Sequence, residues 1–212
     1  MKVLITAGAT WVKIDDIRVI TNRFTGKTGL YLAKALKKKG HKVTLMANPH
    51  CLGEAIPLGA GPIKSLKIHR YHYFEDFKKL ISKLLKAECY DAIIHMAAIS
   101  DYRVKKPYPG KVSSGKKSLT LNLEPTEKII KLIGRLASKS LLIQFKLESK
   151  QRGIVNKAYK SLRENKSNFV IANALEDLKT GYKGFLIDKD KKVIPLGSRS
   201  SLLTALNKII SS

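Results

Sequence analysis

Arg18, Asn22, Arg23, Gly26, Lys27 and Gly29 fall within twelve consecutive residues, 18–29. These residue types suit the capture of a phosphorylated ligand. Two glycines let a backbone approach a ligand closely. Three cations supply full charges, and a helix beginning at this point adds roughly half a positive charge at its N-terminus. Two familiar phosphate motifs nearly fit and both fail. Gly26-Lys27-Thr28 resembles the end of G-x-x-x-x-G-K-[ST], but the first glycine is replaced by Thr21. The dinucleotide pattern G-x-G-x-x-G starting at Gly8 meets Thr10 and Lys13 where glycines belong. A capped surface helix is the plain alternative for the same residues.

The elements that must position this stretch are legible on either side of it. Val3-Leu4-Ile5-Thr6 reads as a strand, Ala7-Gly8-Ala9-Thr10 as a small-residue turn, and Leu32, Ala35 and Leu36 as one face of a helix. The same alternation runs on. Strands are expected at 2–7, 42–46, 65–69, 91–95, 141–145 and 168–172, with helices at 27–39, 74–88, 126–138 and 150–165. Near-continuous apolar strands separated by helices of a dozen residues predict a parallel sheet covered on both faces. Gly184–Asp188 and Lys192–Leu196 read as a hairpin. A last helix follows, with Ser198 as its N-cap and Leu202, Leu203, Leu206, Ile209 and Ile210 inward. The expected fold is therefore α/β, a Rossmann-like parallel sheet with helices on both faces and a C-terminal β-hairpin plus helix. One domain over 1–212 is expected, with a mobile polar loop at about 98–118 that holds Pro107, Pro109, Gly110 and Gly115.

Composition narrows the classes. Hydrophobic content of 44% argues against disorder. No apolar run approaches the roughly 18 residues of a membrane span, and with a strand pattern at Met1-Lys2-Val3-Leu4-Ile5 no leader peptide is expected. Cys51 and Cys89 show neither pairing nor metal spacing, so they are expected to be inert in a reduced, cytoplasmic setting. The net charge of +25 admits a nucleic-acid binder, an enzyme of anionic substrates, or a lysine-rich surface serving solvation. The lysines lie along the whole chain on polar helix faces, and few aromatics interleave with them, which counts against nucleic acid. His95 ends an apolar strand and is read as a core histidine. His50, His69 and His72 have no ligand spacing and are read as surface groups. No metal site is expected within the protein.

Ligands of open α/β sheets bind beyond the carboxyl ends of the parallel strands. That rule places 8–29, 96–118, 145–148 and 173–177 along one edge, enough for a nucleotide-sized cleft. In these loops the chain resembles the phosphopantothenate–cysteine ligase family. The likeness is carried by Thr6-Ala7-Gly8-Ala9-Thr10, by Ile14-Asp15-Asp16-Ile17-Arg18 with Ile20-Thr21-Asn22, and by Thr25-Gly26-Lys27-Thr28-Gly29. It continues through His95-Met96-Ala97-Ala98-Ile99-Ser100-Asp101-Tyr102, Lys111-Val112-Ser113-Ser114, Phe145-Lys146-Leu147-Glu148 and Ile171-Ala172-Asn173.

The resemblance is to the standalone, single-function form, with no flavin domain in the chain. It implies that a nucleoside triphosphate, CTP or ATP with Mg²⁺, activates the carboxylate of 4′-phosphopantothenate as an acyl-nucleotidylate. Cysteine's amine then displaces the nucleotide. It implies catalytic roles for Asn22 and Lys111, and substrate contacts from Arg18, Asn22, Ala97 and Ala98. Nucleotide contacts are implied for Gly8, Gly26, Asp101, Lys111, Phe145 and Asn173. A homodimer is implied as well, with neither nucleic acid nor membrane as partner.

Three departures stand out: Ala174 where an aspartate is usual, Gln144 where a glycine is, and Phe24 where serine is frequent. Taken alone, Asp101 reads as one half of a loop-start ion pair, Lys111 as one surface lysine among many, and Glu148 as a favourable helix-start glutamate. A nicotinamide-dependent reductase of similar topology remains the alternative enzyme, and a basic nucleic-acid-binding module the alternative class.

Overall fold

The computed structural model describes residues 1–49, 66–178 and 181–211. The expectations for His50 and Cys51 lie outside the described residues. Eight strands form one sheet. In chain order they are β1 (Lys2–Ala7), β4 (Lys42–Ala47), β5 (Lys67–Arg70), β6 (Ala92–His95), β9 (Leu141–Glu148), β10 (Phe169–Ala174), β11 (Gly184–Asp188) and β12 (Val193–Leu196). Their spatial order is β12-β11-β10-β9-β6-β1-β4-β5. From β5 through β10 every pairing is parallel; β11 runs against β10, and β12 against β11.

Position in the sheet explains composition. Central β1 pairs with β4 on one side and β6 on the other, and Val3, Leu4, Ile5 and Ala7 are fully buried. Its alternate residues feed two cores. Val3, Ile5 and Ala7 join the cluster under α1 (Lys27–Lys38) and α6 (Arg199–Ser211). Leu4 faces the opposite cluster, beneath α2 (Phe74–Ala87) and α3 (Ile129–Leu136). A third cluster seats α4 (Ile154–Asn165) on β10 and β11. A strand buried on both faces must be apolar throughout, which is how β1 reads.

Two expected helices are shorter than their periodicity. The one expected at 126–138 starts at Ile129, because Thr126 is tied back to the loop after β6. Its N–H donates to the Asp101 carbonyl at 2.9 Å and its hydroxyl to the Ser100 carbonyl at 2.6 Å. The one expected from 150 starts at Ile154, after Gly153 in a left-handed conformation. Ser198 caps α6 as expected. Its hydroxyl accepts the Ser201 N–H at 3.0 Å, while the Ser201 hydroxyl accepts the Ser198 N–H at 3.0 Å.

Two small hairpins stand where loops were expected: β2 (Trp11–Lys13) with β3 (Val19–Thr21), and β7 (Tyr102–Val104) with β8 (Leu123–Pro125). The two hairpins pack together through β2 and β7. A short α5 (Leu175–Leu178) follows β10.

Candidate functional site

The loops after β1 and β6 are locked together at the carboxyl edge. The Thr10 hydroxyl lies 3.1 Å from that of Ser100 and accepts the Ser100 N–H at 2.9 Å. Thr10 N–H donates to the Ala98 carbonyl at 3.2 Å, and Ala98 N–H to that of Gly8 at 2.9 Å. Beneath them the Tyr71 hydroxyl donates to the carbonyls of Ala7 and Gly8, and the Asn48 amide to that of Ala9. Thr10 and Ser100 are buried, so these polar groups form a satisfied floor rather than a source of free donors. Thr10 sits where a dinucleotide site needs its second glycine, and its place in this floor closes that approach.

Above the floor opens a cleft of about 930 Å³. One wall is the start of α1. Gly26 takes the N-cap position with φ 69°, and among the described residues no side chain caps the helix, which leaves its first N–H groups available. Gly29 lies against β1 so closely that a Cβ there would overlap the Cβ of Ala7. The opposite wall carries Phe145, Lys146, Asn173 and Tyr182 with the start of α6, Gly197-Ser198-Arg199. Lys27 and Arg199 are exposed and form no ion pair among the described residues. Burial pushes the Tyr182 hydroxyl up to about 12, so it stays a neutral phenol.

Of the residues singled out in the sequence, the cleft brings together Gly8, Asn22, Gly26, Ala97, Ala98, Asp101, Phe145 and Asn173. Asn22 is fixed over the floor, its amide donating to the Ala98 carbonyl at 3.2 Å. Asp101 is exposed and pairs with Lys128 at 2.6 Å. The Asn173 amide donates to the Lys183 carbonyl at 2.6 Å.

Arg18 and Lys111 do not line the cleft. The Arg18 guanidinium is bound to Asp15 at 2.6 Å and to the Val112 carbonyl at 3.1 Å; Lys111, next to Val112, is exposed. Tyr182 and Arg199 escaped the sequence reading. The signal for Arg199 lay in strand direction: two antiparallel reversals return β12 to the heading of β10. Its end therefore delivers α6 to the same edge as the parallel strands.

The unusual residues have local reasons. Gln144 is buried and bonded to Ser161 and Asn165 on α4. Ala174 is packed in the third core cluster, away from the cleft lining. Phe24 lines the cleft. Glu148 accepts bonds from Lys157 and Lys146, which hold its carboxyl below the usual range. His95 is buried beside the Thr6 hydroxyl at 2.9 Å, and burial lowers its value to about 4, as suits a core histidine. His69 and His72 are half-buried rather than surface groups, and burial pushes His69 down. Cys89 is an exposed free thiol. Among the described residues no group of three or more His, Cys, Asp and Glu is placed to hold a metal ion, and no helix is long and apolar enough to cross a membrane.

A second, smaller cleft of about 560 Å³ opens on the other face, between α3 and α4. It shares Ala97, Ile99, Asp101, Phe145 and Lys146 with the first and carries Lys128, Lys131, Lys157 and Lys160.

Fold and cleft together define the class: an open α/β sheet whose ligand crevice lies beyond the carboxyl ends of its strands. Residues 1–208 match the family described as DNA/pantothenate metabolism flavoprotein C-terminal domain, and the chain belongs to that family. It is 33% identical over 177 residues, 82% of this chain and 41% of the relative, to the coenzyme A biosynthesis bifunctional protein CoaBC of Thermococcus kodakarensis. It is 30% identical to the protein of the same name from Borreliella burgdorferi, over 99% of this chain and 52% of the relative. The chain thus spans about two fifths to one half of the length of these curated relatives.

Among solved structures, the DNA/pantothenate metabolism flavoprotein from Streptococcus pneumoniae superposes with a TM-score of 0.85 at 25% identity, covering 100% of this chain and 98% of that one. The C-terminal domain of a CoaBC protein gives 0.76 at 27%, covering 99% and 93%. Cab2, solved as a mutant in complex with phosphopantothenate-cysteine, shares the fold with a TM-score of 0.78 at 17% identity, covering 99% and 87%.

Proposed function

We propose that this chain joins 4′-phosphopantothenate to cysteine through an acyl-nucleotidylate made from CTP or ATP. The carrying observation is convergence: Asn22, Gly26, Ala97, Ala98, Asp101 and Phe145, drawn from four separate motifs, line one cleft. Relatives named for coenzyme A biosynthesis support the reading. In the first step a carboxylate oxygen of phosphopantothenate attacks the α-phosphorus and pyrophosphate leaves. In the second, the amine of cysteine attacks the acyl carbon, the nucleoside monophosphate leaves, and the amine proton passes to solvent. Neither step needs a strong base within the protein, so positioning and charge stabilisation carry the rate.

In this reading the free N–H groups at the start of α1, with Lys27 and Arg199, hold phosphate oxygens. Phe145 and Asp101 face base and ribose, and small Ala97 and Ala98 leave room for the acyl group. Asn22 donates to the acyl-phosphate, and Lys111 approaches the triphosphate from its loop. Mg²⁺ would travel on the nucleotide's own oxygens, since among the described residues Asp101 is the acidic one lining the cleft. Ile17, Ile20, Tyr102 and Leu123 expose apolar surface on the two packed hairpins, a face suited to a second copy of the chain.

The test is pyrophosphate release followed with phosphopantothenate, cysteine and either CTP or ATP. Release that requires both phosphopantothenate and one nucleotide is expected. Release without phosphopantothenate, or none with either nucleotide, overturns the reading.

A further inference from the structure

Lys111 stands on a fastened piece of backbone. Before it, the Gly110 carbonyl accepts the Asp16 N–H at 3.1 Å. After it, Val112 N–H donates to Asp15 Oδ2 at 3.0 Å, and the Val112 carbonyl accepts Arg18 Nη1 at 3.1 Å. Tyr108 N–H also donates to the Ile14 carbonyl at 2.8 Å. Residues 14–18 therefore grip the loop on both sides of the lysine. The centre of the grip is Asp15, 1% exposed, whose two oxygens do different work. Oδ1 accepts the N–H groups of Ile17 at 2.8 Å and Arg18 at 2.6 Å, which shapes the turn. Oδ2 accepts Arg18 Nη1 and Val112 N–H, which ties the turn to the loop.

We infer that Asp15 is a positioning residue for Lys111, fastening through Oδ2 the backbone on which the lysine stands. The inference rests on the proposed role of Lys111 at the triphosphate. The same turn continues through the three residues of β3, about 10 Å of strand, to Asn22 at the cleft. A buried carboxylate with four donors is costly to leave half-satisfied, so the grip holds as a unit. Burial by itself would raise this carboxyl, yet the bonds from Ile17, Val112 and Arg18 hold it well below the usual range. The grip stays closed at neutral pH.

Asp15→Asn in the full chain is the selective variant. Asparagine keeps an oxygen toward Ile17 and Arg18 N–H but sets its NH₂ against two donors, Val112 N–H and the Arg18 guanidinium. Two readouts are taken: tryptic cleavage after Lys105 and Lys111 in the folded protein, and steady-state pyrophosphate release by Asp15→Asn, Lys111→Ala and the double variant. Cleavage about tenfold faster is expected, with kcat lower by about ten- to a hundredfold and KM for cysteine unchanged. The double variant should be no slower than Lys111→Ala, because the two changes remove one function. Unchanged cleavage overturns the grip, and losses that multiply in the double variant overturn its action through Lys111. A wild-type chain that releases no pyrophosphate overturns the reaction, and the Lys111 role with it, while faster cleavage of Asp15→Asn upholds the grip.

Discussion

The two clefts share Ala97, Ile99, Asp101, Phe145 and Lys146 yet differ in how their charges are spent. On the α3–α4 face, Lys128 pairs with Asp101, Lys146 and Lys157 with Glu148, and Lys160 with Glu164, leaving Lys131 without an ion pair among the described residues. On the α1–α6 face, Lys27 and Arg199 have no carboxylate partner among the described residues, and α1 begins with uncapped N–H groups. In a chain with net charge +25, lysine count says little about where an anion binds. Unneutralised cations beside free backbone donors say more, since exposed ion pairs consume charge for little stability.

Four experiments break or sharpen this contrast. The largest effect is expected from Asn22→Asp, which places a carboxylate beside the proposed phosphates and replaces the donor to the Ala98 carbonyl. Loss of kcat/KM for pyrophosphate release by a hundredfold or more is expected, about the cost of losing a preorganised donor. Normal turnover would make Asn22 a floor residue only.

Next comes His95, which lines the second cleft. Its folded value is about 4, whereas the unfolded chain takes up the proton near 6.5. The unfolded state binds more protons between these values, so stability is full above about 6.5. It falls with decreasing pH across this window by about 3 kcal/mol. Denaturant midpoints from pH 7 to 4, compared with His95→Gln, measure it. An NMR titration of His95 near 6.5 would reopen the second cleft to proton transfer.

Arg199→Ala should weaken nucleotide binding by roughly tenfold, the worth of one charge-assisted bond, as read by calorimetry. Lys131→Ala should change it by less than about twofold, within the usual range for surface substitutions. Equal effects from the two would erase the distinction between the clefts.

The large elements were legible because they obey strong rules. Continuous apolar runs marked strands buried on both sides, and the 3.6-residue period marked α1 and α2 to within one residue. The small hairpins were not, since three-residue strands such as Trp11–Lys13 and Tyr102–Val104 are too short to show alternation. Their partners are also found across a turn or across nearly twenty residues of loop.

Within the site, glycines and small residues could be placed from strand ends alone. Arg18 shows where that reasoning thins: a cation near a phosphate-like motif looks available until its partner is identified. That partner, Asp15, stands only three residues earlier, but it is also bonded to Val112, nearly a hundred residues away. Tyr182 and Arg199 needed strand directions, which follow from counting reversals after β10 rather than from any motif.

The return of β12 to the heading of β10 also sets an order in time. Residues 197–199 are the last of the cleft's residues to be synthesised. While domains assemble from the N-terminus during translation, a nascent chain carrying every earlier motif still lacks the part of one wall that Gly197, Ser198 and Arg199 form. The proposed triphosphate site is complete only once α6 docks. Because that helix starts at the cleft and runs away from it for about 20 Å, a tag placed beyond Ser211 would sit far from the cleft, whereas a chain stopped at Leu196 would keep most of its sheet and lose Gly197, Ser198 and Arg199 from the cleft lining.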